Sequence, residues 1–278
     1  MERTPTPTVL GMSTEQRNER YERGYAALRE VAGGTQDTVI DGLADIAPDM
    51  GRYIVEFGFG DIWTRPGLTR RERQLGTVAA LAAMGNAAPQ LRFHIGGALN
   101  VGCTREEIVE VLIHVSVYAG FPAALNGLTA AREVFESRPD EPALVPADTS
   151  GDQGGDRLER GRQALADIDG HAGQQVIDSL RDIAPDLARY LLEFAFGDVY
   201  SRTGLDLKTR ELVTVALCAA LGTVGPQLRV HLHGLLNVGG TQEEAVEIIT
   251  QMAGYAGFPA ALNGLTAARE VFTQRRAG

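Results

Sequence analysis

Tyr118 to Phe135 reads YAGFPAALNGLTAAREVF, and Tyr255 to Phe272 repeats those letters without a substitution. The offset of 137 residues holds without a gap upstream to Asp45-Ile46-Ala47-Pro48-Asp49 and Asp182-Ile183-Ala184-Pro185-Asp186. A chain written twice in this way is constrained to a tandem array of two similar units. Its 278 residues suit that reading, because single domains commonly run to about 100–150 residues. The units are expected at 14–137 and 156–274, with 138–155, rich in Pro, Asp and Gly, as a flexible linker.

Helical signals dominate and strand signals are nearly absent. Ser13 or Thr14 can cap a helix through Val31 that stops at Gly33-Gly34, and a shorter helix is expected near Thr35–Asp45. Pro48 suits the first turn of a third helix, which Arg52 to Phe59 continues. Thr69 can cap a long apolar helix to Met84, matched by Asp206 to Leu221; helices apolar all round belong in the centre of a fold. Pro89 and Pro226 open another pair. Thr104-Arg105-Glu106-Glu107 and Thr241-Gln242-Glu243-Glu244 are capping boxes, in which hydroxyl and carboxylate satisfy backbone donors reciprocally. Gly120 and Gly257 supply stops, and Pro122 and Pro259 start the last helices. The fold class is all-α.

A net charge of −10 argues against nucleic acid or an anionic membrane as partner. The N-terminus lacks the apolar run of a signal peptide, and no stretch approaches the ~18 apolar residues of a membrane span, so a cytoplasmic location is expected. Cys103 and Cys218 stand at non-equivalent repeat positions and suggest neither a disulfide nor a thiolate metal site.

Two clusters could carry chemistry. The first is Pro89-Gln90-Leu91-Arg92-Phe93-His94 and its counterpart Pro226-Gln227-Leu228-Arg229-Val230-His231-Leu232-His233. Gln90 and His94, like Gln227 and His231, are i,i+4 neighbours on a helix. Each histidine is therefore either a core residue satisfied by its glutamine or a group placed for proton transfer. The second cluster is Gly60-Asp61-Ile62-Trp63-Thr64-Arg65 and Gly197-Asp198-Val199-Tyr200-Ser201-Arg202. The aromatic ring offers a flat wall and the guanidinium a bidentate grip for a planar, carboxylated ligand; the alternative is a helix-ending turn with a solvated arginine. Arg70, Arg71, Arg73, Lys208 and Arg210 fall in first helical turns, where the macrodipole disfavours cations. Either acidic neighbours offset them or an anion binds there.

GDIWTRPGL, an arginine-bearing apolar helix, LRFH, LNVG-x-TREEI-x-EV and YAGFPAA…AREVF together resemble the carboxymuconolactone decarboxylase family, here as two tandem helical units. The resemblance implies an all-α fold in rings of six units, so a two-unit chain is expected as a homotrimer. It also implies a reaction without cofactor or metal, in which loss of CO2 from a small, anionic carboxylated lactone leaves a dienolate. That chemistry needs oxyanion donors and an acid. His94 and His231 match the acid/base position; Arg65, Arg92, Arg202 and Arg229 match positions that could hold substrate oxygens. Trp63, Tyr200, Gln90, Gln227 and His233 complete the expected substrate-binding set.

Two departures bear on this. The decarboxylases carry glutamate four residues before the histidine, where this chain has Gln90 and Gln227. The related alkylhydroperoxidase D-like peroxidases carry C-x-x-C there, and the matching Ala87, Gln90, Val224 and Gln227 supply no thiolate, so thiol peroxidase chemistry is not expected. The halves also differ: Glu211 faces Gln74, His233 faces Gly96 and Tyr200 faces Trp63, which makes the second half the better equipped, with Glu211 a further catalytic candidate. The leading expectation is a decarboxylase-like lyase. Alternatives are a relative redirected to isomerisation, cyclisation or dehydration of a polyketide-like intermediate, and a ring-forming ligand-binding or scaffold protein without catalysis.

Overall fold

The computed structural model describes residues 18–34, 38–145 and 156–277. Every regular element among them is helical: α1 (Glu19–Val31), α2 (Thr38–Asp41), α3 (Pro48–Tyr53), a π-helix π1 (Ile54–Trp63), α4 (Arg70–Met84), α5 (Ala88–Asn100) and α6 (Arg105–Glu136), then α7 (Arg157–Ile168), α8 (Gly170–Ser179), α9 (Pro185–Tyr190), π2 (Leu191–Tyr200), α10 (Leu207–Leu221), α11 (Gly225–Asn237), α12 (Gln242–Gln251), a 3₁₀ turn (Met252–Gly254) and α13 (Phe258–Ala277). The caps proposed at Ser13 or Thr14, residues 35–37 and most of the linker lie outside the described residues. Asn18 caps α1 through the Tyr21 amide.

The chain packs as two compact units, Met1–Pro66 and Gly67–Gly278. This division differs from the sequence repeat, because the central helices of both repeats, α4 and α10, lie side by side in the larger unit. Gly76 permits their approach: a Cβ there would sit 3.4 Å from the Ala216 Cβ and 2.5 Å from Ile248 Cδ1. Both helices are buried along nearly their whole length, as their all-round apolar pattern requires. Thr69, Thr104 and Thr241 form complete capping boxes, Asp206 caps α10, and Gly85 and Gly222 end α4 and α10 in the left-handed region.

Three features of these helices have physical causes. The stretch after α3 and after α9 widens into a π-helix instead of continuing as α. In the smaller unit α1 meets π1 backbone to backbone, since a Cβ on Gly24 would lie 2.0 Å from the Val55 carbonyl oxygen. In the larger unit α7 meets π2 the same way, since a Cβ on Gly161 would lie 1.9 Å from the Leu192 carbonyl oxygen. Arg20 clamps Asp61, and Arg157 clamps Asp198, across these contacts. Such a contact is tertiary, and no local pattern announces it. Second, α6 has the length and apolarity of a membrane span, but Gly120 (φ 83°, ψ 165°) breaks it ahead of Pro122. Third, the first-turn cations meet acidic neighbours: Arg71 meets Glu107, Arg73 meets Glu247, Lys208 meets Glu244 and Arg210 meets Glu110.

Candidate functional site

The larger unit crosses its repeats. On α6 of the first repeat, Glu110, His114 and Tyr118 are spaced i, i+4, i+8 and share a face, and that face lies on α10 of the second repeat. Glu110 accepts from Arg210 at 2.9 Å and from the Arg202 Nε at 2.9 Å. His114 Nε2 meets the Thr214 hydroxyl at 2.7 Å, and Tyr118 reaches Tyr200 and His231. The reciprocal face, Glu247, Gln251 and Tyr255, lies on α4: Arg73 donates to Glu247 at 3.1 Å and to Gln251 at 3.0 Å. Each half therefore completes its site with residues of the other.

Around His231 the polar contacts form a closed circuit. Nδ1 lies 3.1 Å and 3.2 Å from the two carboxylate oxygens of Glu211. Nε2 lies 3.1 Å from the Tyr118 hydroxyl, which lies 2.6 Å from the Tyr200 hydroxyl. Tyr200, delivered by the last residue of π2, donates to Glu211 Oε1 at 2.6 Å. Each hydroxyl has one proton, which settles the direction of every bond. Tyr200 gives its proton to Glu211, so Tyr118 must give its own to Tyr200, and Nε2 must donate to Tyr118. Nδ1 donates to Glu211, leaving an imidazolium with both nitrogens protonated. Burial pulls the His231 pKa down, but the charge and hydrogen bond of Glu211, with Asp169 adding to them, outweigh it and lift the group to about 9. Burial and the neighbouring Glu211 hold Tyr118 and Tyr200 well above the ordinary phenol range, so both remain neutral donors. Thr214 donates to the Arg210 carbonyl and so accepts from His114; burial keeps His114 neutral.

The first-half counterpart has the same shape without the charge. His94 Nδ1 meets the amide oxygen of Gln74 at 2.9 Å, and its ring stands edge-on to Tyr255 at 5.2 Å between centroids. Burial without a carboxylate depresses the His94 pKa to about 3, so this ring is neutral. Asp169, Glu211 and His231 offer ligand atoms within 4.8 Å of one another, all buried, and two carboxylates with an imidazole suit a divalent ion.

Of the residues singled out by sequence, His231, Glu211 and Tyr200 come together, while several others do not join them. Gln90 and Gln227 are exposed, one turn nearer the solvent-facing helix ends than the histidines, and Gln74 rather than Gln90 partners His94. Arg92 pairs with Glu133 and Arg229 with Glu270 on the surface. Arg202 is corrected as a carboxylate grip for substrate, because Glu110 takes its guanidinium bidentately. His233 is half-buried beside Gln274 at 3.2 Å, away from the His231 circuit. Trp63 is buried in the smaller unit, stacked 6.0 Å from Phe59, and Arg65 follows it there. Sequence reasoning missed Tyr118, His114, Thr214 and Asp169. Tyr118 opens the strictly duplicated segment, which was a usable signal. Cys103 and Cys218 are separate buried thiols, with burial pushing Cys103 up to about 12 and Cys218 higher still.

Fold and site define an all-helical tandem repeat carrying one buried histidine of this kind in each half. The chain belongs to the carboxymuconolactone decarboxylase family, whose sequence pattern matches residues 48–133 and 185–270. It is 36% identical over 131 residues to the 4-carboxymuconolactone decarboxylase of Acinetobacter baylyi, covering 47% of this chain and 97% of that protein. It is 33% identical over 124 residues to the nitrosuccinic acid decarboxylase of Metarhizium robertsii, covering 44% of this chain and 85% of that protein. A solved structure from Burkholderia xenovorans, described as a candidate gamma-carboxymuconolactone decarboxylase subunit, superposes with a TM-score of 0.56 at 25% identity, covering 93% of this chain and 98% of that one.

Proposed function

We propose that the protein is a decarboxylase-like lyase that acts on a carboxylated lactone or a related oxygenated carbonyl acid, with His231 as proton donor. The observation that carries this reading is the buried hydrogen-bond circuit joining His231 to Glu211, Tyr118 and Tyr200, which favours the protonated ring. When the bond to the carboxylate breaks, CO2 leaves without the bonding electron pair, which remains on the substrate as a dienolate. The neutral phenol of Tyr118 can turn its proton from Tyr200 to the developing oxyanion. The Nε2 proton then passes to carbon, through the Tyr118 hydroxyl or in its place, and solvent restores it. The sum is one proton taken up and one CO2 released. Because Arg202 is engaged by Glu110, the cation that meets an anionic substrate here is the imidazolium itself. The two decarboxylases among the relatives act, by name, on a carboxylated lactone and on nitrosuccinic acid.

The expected result is CO2 release from 4-carboxymuconolactone or a close analogue, abolished by His231→Ala in folded protein. A panel of carboxylated lactones and β-activated acids that gives no CO2 above background would reject the assignment.

The same reading has the chain assemble as a homotrimer. Apolar side chains stand exposed at repeat-equivalent positions of the duplicated segment, Phe121 with Phe258 and Leu125 with Leu262, each 60–63% accessible. Equivalent apolar patches suit equivalent contacts around a ring. Light scattering at micromolar concentration is expected to give three times the chain mass; a monomer would contradict it.

A further inference from the structure

Asp169 is a buried acid in an unusual place. It sits at the corner between α7 and α8, where an aspartate would ordinarily cap the following helix, yet its side chain makes no capping bond. The side chain is 3% exposed, and its Oδ1 has no hydrogen-bond partner among the described residues. A buried polar atom left so is costly and calls for an explanation. Oδ1 points at the site, 4.0 Å from His231 Nδ1, on the ring edge that Glu211 also faces.

The surroundings are built to admit it. A Cβ at Gly234 would lie 3.0 Å from Asp169 Oδ1 and 2.5 Å from Glu211 Oε2, and one at Gly173 would lie 2.7 Å from the Asp169 Cβ. Asn237 of α11 pins the corner by donating to the Ile168 carbonyl at 2.8 Å. The register-equivalent residue in the first repeat is Ala32, in the half that also carries Gln74 in place of Glu211. The two acids thus occur together, in the half whose histidine is charged.

We propose that Asp169 is a positioning residue for His231, a second carboxylate behind the Nδ1 edge that holds the imidazolium in place as proton donor in the second-half site. This rests on the proposed role of His231 in proton transfer. The titratable groups facing the cluster are Glu211, Arg210 and the neutral thiol Cys218 from α10, His231 from α11, His114 and Tyr118 from α6, and Tyr200 from π2. The last two are neutral donors and His114 is neutral. Burial and Glu211 raise the Asp169 pKa, with the neighbouring His231 opposing them.

The test is Asp169→Asn, which keeps shape and removes charge, with Asp169→Ala as the second variant because alanine stands at the equivalent first-repeat position. The His231 ring is titrated by NMR without substrate. The expected result is a midpoint lowered by about one unit in both variants, as loss of a nearby opposite charge requires. Turnover should fall about twofold at pH 8 and about fivefold at pH 9, and recover at pH 6, with KM within about twofold, a pH rescue that a merely structural role would not give. An unchanged midpoint overturns the proposal even if His231 proves essential. A shifted midpoint in a protein without turnover sustains it and rejects the lyase reading instead. Zinc that raises the melting temperature of the parent but not of Asp169→Asn would also overturn it, by showing a cation site rather than a holder of the imidazolium.

Discussion

His231→Ala is expected to lower turnover by about 10²–10⁴-fold, the usual worth of general acid–base catalysis, while His94→Ala changes it by less than about threefold. The asymmetry comes from the partners. His231 has its pKa raised to about 9 between Glu211 and Tyr118, whereas His94 leans on the neutral amide of Gln74 and has its pKa depressed to about 3. A ring with so low a pKa carries no proton to deliver near neutrality. Both histidines are buried, and truncation leaves a former partner unsatisfied at a cost of about 1–3 kcal/mol. Melting curves and oligomer mass are therefore needed before rates are compared. Equal losses from the two substitutions would mean two working sites; no loss from either would favour a ligand-binding or scaffold role.

Glu211→Gln gives the second half the residue that the first half carries at Gln74. It should drop the His231 midpoint from about 9 to below neutrality, since burial then acts without the opposing carboxylate. Turnover at pH 8 should fall by about 10²-fold or more, with the alkaline limb of the kcat profile moving down in pH alongside the NMR midpoint. Stability should respond in a linked way. The folded pKa of His231 lies above its ordinary 6.5, so its contribution is fully present below pH 6.5 and is lost as pH rises through about 9. The raised pKa of Asp169 acts in the same direction, because the fold favours its protonated form and loses stability as pH climbs from 3.8 toward about 7. The parent should therefore melt at lower temperature in alkaline buffer, with His231 accounting for on the order of 3 kcal/mol. In Glu211→Gln that alkaline loss should largely disappear, and an identical pH dependence in both proteins would show that the Glu211 carboxylate does not hold the proton.

The sequence by itself determined what local chemistry and register can carry. The exact repeat announced two units, and capping residues and glycine stops placed α4, α6, α10 and α12, including the break at Gly120 ahead of Pro122. The all-round apolar pattern of α4 and α10 put them in the core. Comparing the repeats singled out Glu211 against Gln74, and periodicity marked His94 and His231 as repeated polar residues. Only the tertiary structure decided which groups meet. Gln227 shares a helical flank with His231, but one turn toward the start of α11 is already solvent, so the carboxylate at the ring comes from α10 instead. Tyr118 and His114 reach the second-half site across separations of 113 and 100 residues, which no local period encodes. Arg202 looked free to bind substrate until Glu110 of the other repeat closed on it. The π-helix that delivers Tyr200 rests on the contact of Gly161 with the Leu192 carbonyl, and Asp169 enters the site because Gly173 and Gly234 lack side chains. Helix caps and apolar stripes are written within a few residues, whereas proton-transfer geometry depends on the packing of helices distant in the chain.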